Sequence, residues 1–133
     1  MPREVIRSDK LPESFGAFEM GGIKVRDGSL LFISGQCAVD ENFSLVGKGD
    51  IRAQTRKTLE NVKTVVEAAG GTMADIVKVT VYVRDMSHLK AIHEVRFEYF
   101  TKNLPASTLV EVSRLISEDY LIEIDAVAFI PDK

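Results

Sequence analysis

Apolar and polar residues alternate along Ile76–Val83, with Val77, Val79, Val81 and Val83 on one side and Lys78, Thr80 and Tyr82 on the other. A repeat of two residues is that of a strand with one buried face. The repeat returns at Leu121–Ile130, where Ile122, Ile124, Ala126 and Ala128 share one face and Glu123 and Asp125 the other. A further strand is predicted near Ser107–Val112. Residues 17–39 also read as strands: Ile23 and Val25 alternate with polar neighbours, and Leu30–Ser34 is a short apolar run. Asp27-Gly28 between them predicts a hairpin turn, because glycine accepts the positive φ of a type I′ turn.

Two segments change to the helical period. Asp50 is placed to cap a helix running to about Ala69, in which Ile51, Thr55, Leu59, Val62, Val66 and Ala69 recur at three- and four-residue spacing. Arg52, Arg56, Lys57, Glu60 and Lys63 fill the opposite side, and Gly70-Gly71 ends the element. Asp85 is placed to cap a second helix from about Met86 to Thr101. Leu89, Ile92, Val95, Phe97, Tyr99 and Phe100 form its apolar arc, and His93 and Arg96 lie inside that arc rather than opposite it. A buried guanidinium without a partner is costly, so Arg96 calls for a carboxylate, an interface or a ligand. It either pairs with an acid across a subunit interface or, with His93, anchors an anion. His93 taken alone reads as a packed, hydrogen-bonded histidine.

The order is strands, helix, strand, helix, strands, which predicts an α/β fold: a mixed sheet with both helices on one face. The other face is then left for subunit association to cover. No repeat or Pro/Gly-rich linker divides the chain, and residues 1–133 read as a single domain. With 45% hydrophobic and 28% charged residues, the composition is that of a globular protein with its own core. The formal net charge is −3 with scattered lysines and arginines, against the basic stripe a nucleic-acid binder needs. No apolar run nears the ~20 residues that cross a bilayer, and the cytoplasm is the default location. The single cysteine, Cys37, reads as an inert small core residue, and no Cys/His set has metal-ligand spacing. No metal or cofactor is expected.

Four stretches occur in the order and spacing of one known family: Leu31–Gln36 (LFISGQ), Gln54–Gly70 (QTRKTLENVKTVVEAAG), Asp75–Asp85 (DIVKVTVYVRD), and Leu104-Pro105-Ala106 leading into Val110–Leu115 (VEVSRL). With Ile122–Ala126 they span about residues 14–130, and over that length the chain resembles the RidA/YjgF family, also labelled endoribonuclease L-PSP. The resemblance implies a chorismate-mutase-like fold, a trimeric barrel built from three sheets, and small-molecule clefts between subunits. The best-known members hydrolyse enamines and imines such as 2-aminoacrylate. That chemistry needs a cation for the substrate carboxylate, a positioned water and a group that handles protons.

The anchor in those members is an arginine directly after the Pro-Ala, a planar fork suited to a carboxylate. Here that position is Ser107, which offers one neutral hydrogen bond and no charge. Phe18 stands where the active members usually carry a tyrosine, and His93 and Arg96 stand where the family often shows asparagine and tyrosine. Glu123 is retained at the position the family uses to hold or activate water; a solvated edge or an interface salt bridge accounts for it equally. Ser34 and Gln36 line the cleft in this reading, though sheet-end hydrogen bonding explains them nearly as well. Three functions follow for a carboxylate or imine ligand in the cleft of a homotrimer. The first is imine or enamine hydrolysis on a non-standard substrate, with Glu123 as the catalytic group and Ser107, Phe18, Ser34, His93 and Arg96 around the ligand. The second is metabolite binding without turnover, and the third is RNA cleavage, which the acidic balance disfavours.

Overall fold

The computed structural model describes residues 1–133 as an α/β sandwich of one four-stranded sheet and two helices. The elements are β1 (Arg3–Ile6), β2 (Gly22–Val25), β3 (Gly28–Gln36), α1 (Ile51–Ala68), β4 (Ile76–Val83), α2 (Leu89–Tyr99), β5 (Ala106–Glu111) and β6 (Ile122–Pro131). The main sheet runs β3-β6-β4-β5; β6 is antiparallel to both neighbours, and β5 is parallel to β4. Strands β3, β4 and β5 therefore point the same way. Parallel strands need a crossover, and α1 and α2 supply the two that join them in turn.

Both helices cover the same face. Leu59, Val62 and Val66 of α1 and Ile92 and Val95 of α2 meet Ile76, Val79, Val81, Val83, Ile122, Ile124, Ala126 and Ala128 of the sheet in one core. Asp50 caps α1 by accepting from the Ala53 amide at 3.1 Å, and Gly70 follows the helix at φ 86°. Two ion pairs tie the helices together outside the core: Arg52–Glu94 at 2.6 Å and Arg56–Glu98 at 2.9 Å.

Three local expectations are corrected. The Asp27-Gly28 hairpin does not form, because β2 pairs with β1 and β3 pairs with β6. It is Asp27 that takes the positive φ, 61°, while Gly28 admits the carbonyl of Ile130 where a side chain would stand. In β4 the register shifts between Ile76 and Lys78, so Ile76 takes the buried place and Val77 is only half-buried. The second helix begins as a 3-10 turn, Met86–His88, capped by Asp85, and its Phe97 faces solvent while Phe100, just past the end, is buried.

The sheet face away from the helices carries Lys78, Thr80, Tyr82, Glu123 and Asp125, and it exposes Leu30, Phe32 and Val110. Tyr82 Oη donates to Asp125 at 3.0 Å, which pairs two of the polar groups on this face. Phe32, 73% exposed, is far more open than a core strand residue needs to be.

Candidate functional site

Strand alternation decides what β5 offers. Ser107 pairs with Val79 and Leu109 with Val81, both core positions, so these two residues point to the helix side of the sheet. Arg96, in the last turn of α2, lies above them and donates from Nη2 to Ser107 Oγ at 3.0 Å. His93 is one turn earlier on the same helix. The loop before β2 closes the site from outside: Phe15 meets Phe18 edge-on at 5.2 Å between ring centroids and meets His93 edge-on at 5.3 Å. The loop can come this near because a β-carbon on Gly16 would stand 2.7 Å from His93 Nδ1. Phe18, His93, Arg96 and Ser107 thus line one cleft of about 410 Å³, together with Met20, Met86, Leu89 and Leu109.

The electrostatics of this cleft are unusual. Arg96 is 1% exposed, yet its Nε and Nη1 have no hydrogen-bond partner, and Ser107 is neutral. Burial pulls its pKa down to about 10, which still leaves it charged at neutral pH. The carboxylate of Glu19 also lines the cleft but is already engaged: Arg7 holds it through two bonds of 2.9 and 2.7 Å. Those bonds are the main cause that keeps Glu19 below the ordinary carboxylate range. Lys78 at the rim donates to Thr108 Oγ1 at 2.7 Å. Burial, and then the charge of Arg96, lowers the pKa of His93, whose Nδ1 is likewise unpartnered. A buried cation left with free donors and no acid favours an anion, since each unpaired donor costs its full desolvation.

Glu123 is elsewhere. It pairs with Tyr82 in the register of β6 and β4 and so lies on the face opposite Ser107. It accepts from the Cys37 thiol at 3.3 Å and lies against Gly35, where a β-carbon would collide with its carboxylate. Burial, then the bond to Glu123, pushes the Cys37 thiol up to about 12, which makes it a poor nucleophile. Glu123 and Cys37 line a second pocket with Phe43, Ile116 and Tyr120. Ser34 is exposed on β3, and its carbonyl accepts from Gln36 Nε2 at 3.1 Å. One chain therefore brings four of the six anticipated residues together and keeps Glu123 and Ser34 apart from them.

Sequence reasoning missed Phe15, Glu19 and the Arg7–Glu19 pair. Glu19 gave a signal, as an acid inside the run Ala17-Phe18-Glu19-Met20. Its partner twelve residues earlier gave none.

A half-open cleft on a sheet edge, with one buried cation, is a form that small-molecule binding folds repeatedly use. The sequence profile of the family described as Endoribonuclease L-PSP matches residues 10–130, and the chain belongs to that family, the RidA/YjgF group. A RutC family protein of Pyrococcus horikoshii is 43% identical over 127 residues, which is 96% of this chain and 98% of that one. The 2-iminobutanoate/2-iminopropanoate deaminase of Salmonella typhimurium is 39% identical over 94% of this chain and 96% of its own length. Among solved structures, a Rid-family protein of unknown function from Yersinia pestis superposes with a TM-score of 0.88 at 33% identity, covering 98% of this chain and all of that one. The mixed α/β fold with two helices on one sheet face is thereby that of the Rid proteins. No helix is long and apolar enough to cross a membrane.

Proposed function

We propose that this chain acts as a homotrimer that binds a small carboxylate in a cleft completed between subunits, and that it hydrolyses an imine or enamine other than the simple 2-imino acids. The observation that carries the reading is the buried, unpaired guanidinium of Arg96, bonded to the serine that stands where the active relatives carry their arginine. The positive charge has moved from the strand to the facing helix, and Arg96 takes the acid group of the ligand. The two separate pockets of one chain read as two halves of one site. Phe18, His93, Arg96 and Ser107 hold the ligand, and Glu123 and Ser34 of a neighbouring subunit face it. The exposed side chains of Leu30, Phe32 and Val110 on the open face of the sheet support that association.

In the reaction, Glu123 takes a proton from a water as its oxygen adds to the imine carbon. Glu123 passes that proton to the nitrogen to give the carbinolamine. It then moves the hydroxyl proton to the amine as the C–N bond breaks and the C=O bond forms, so that ammonia and the 2-oxo acid leave. Binding without turnover is the second reading, favoured by the two places, Ser107 and Phe18, where the charge and the hydroxyl of the active members are missing. An RNA-cleaving role gains nothing from this cleft, because its cation is buried while a phosphate backbone is met by exposed ones.

The test is hydrolysis of imines generated in place by an amino-acid oxidase, across a panel of amino acids. Moving the anchor from β5 to α2 displaces the carboxylate relative to the attacking water. Turnover of 2-iminobutyrate is expected about 10- to 150-fold below that of the Salmonella relative, the worth of one charge-assisted bond of about 1.5–3 kcal/mol. Faster turnover is expected on other members of the panel. Full activity on 2-iminobutyrate would contradict the shifted anchor; no turnover on any member would leave the binding role alone.

A further inference from the structure

Around Arg96 the cleft is larger and more aromatic than a three- or four-carbon imino acid requires. Its volume of about 410 Å³ is that of roughly fourteen waters at liquid density, whereas 2-aminoacrylate has six heavy atoms. In the single chain, a short acid on Arg96 would leave most of that space to water against apolar walls.

The walls have a definite character. Phe18 is buried, and Phe15 is 74% exposed yet stands perpendicular to two neighbours, Phe18 at 83° and His93 at 81°. Phe18 and His93 lie 6.1 Å apart with planes inclined by 33°. Perpendicular rings at 4.5–7 Å are the favoured arrangement of aromatic groups, and a further ring entering beside Phe15 gains the same contact. Met20 and Met86 add thioethers, which also favour an aromatic neighbour. An exposed phenylalanine held edge-on over a half-buried histidine covers no core of this chain, and a ring entering the cleft would give it a partner.

Charge sets the other end of the ligand. Arg7 neutralises Glu19 and Lys78 is bonded to Thr108, so Arg96 is the cation left without an acid. Its Nε and Nη1 are shielded from solvent in the free chain, and a negative group that opened the cleft to them would pair them. Resting on the reading of Arg96 as the anion anchor, we propose that the ligand is an aromatic 2-oxo or 2-imino acid, its carboxylate on Arg96 and its ring between Phe15, Phe18 and the two methionines.

Stable 2-oxo acids are the probes: calorimetric titration of the full chain with phenylpyruvate, 2-oxobutyrate and pyruvate, and with 2-phenylethanol as a ring without the acid. Phenylpyruvate is expected to bind at least tenfold more tightly than pyruvate, and 2-phenylethanol not to bind measurably. Phe15→Ala should remove most of that tenfold preference, read as the ratio of the phenylpyruvate to the pyruvate affinity. Phenylpyruvate binding no better than pyruvate, or a preference that survives Phe15→Ala, would overturn the aromatic assignment and leave the carboxylate anchor standing. Binding of 2-phenylethanol as tight as phenylpyruvate would overturn the carboxylate anchor and keep the ring site, and no binding of any acid would overturn both.

Discussion

His93 is the residue of the cleft whose protonation should be visible in solution. Burial is the main cause that lowers its pKa from the ordinary 6.5, and the charge of Arg96 adds to it. The unfolded chain, without either influence, takes up a proton first as pH falls. Stability owed to neutral His93 is therefore fully present above pH 6.5 and is lost as pH drops from there through the lower folded-state value. His93→Asn, the residue the family often carries, removes this loss. Melting curves between pH 7.5 and 5 should show the native protein losing more stability than the variant, and parallel losses would mean that His93 titrates normally. Charge within an apolar arc was legible at this scale from the sequence, because the helical period places Arg96 among Ile92 and Val95 without any tertiary knowledge. The tie between Arg7 and Glu19 was not. It joins two loop positions, and no periodicity reports a contact made through a turn.

At the scale of elements, α2 and β5 are coupled by the bond from Arg96 to Ser107. Restoring the family's arginine at 107 alone sets a second guanidinium against the first in a half-buried place, a like-charge contact that should lower stability. Arg96→Tyr with Ser107→Arg returns both elements to the family pattern. The cycle of single and double variants should therefore be non-additive by about 1–3 kcal/mol in denaturant midpoints, with the double variant the more stable. Additive effects would mean that the two positions do not share a charge. The helices, β4 and β6 were readable because each buries one stripe, and its period reports that burial directly. The hairpin at Asp27-Gly28 was misread for a related reason. Its turn chemistry is local, whereas the choice of partner was made by β1 and β6, whose edges compete for the same strands. The split of the site had the same origin: Glu123 and Ser107 each lie on a readable strand, but which faces coincide depends on the register of β4 between them.

For the whole molecule, the proposed trimer would join the open face of the sheet and the two pockets in one assembly. Leu30 and Phe32 on β3 and Val110 on β5 lie on the two edge strands of this face, where the proposed trimer would cover them. Light scattering should give three times the 14.8 kDa chain mass at micromolar concentration, and Phe32→Asp should return the mass of one chain and abolish turnover with it. A native monomer would remove the shared cleft. The central claim, that the anion-holding charge of this protein is Arg96, is tested most directly by Arg96→Met, with carboxylate binding and stability measured on the same sample. Replacing an unpaired buried cation by an apolar side chain of similar volume removes a desolvation cost, so the ligand-free protein should melt no lower than the native one, while carboxylate binding is lost. Retained binding would contradict the claim, and so would a stability loss of about 3–5 kcal/mol, the signature of a broken structural ion pair.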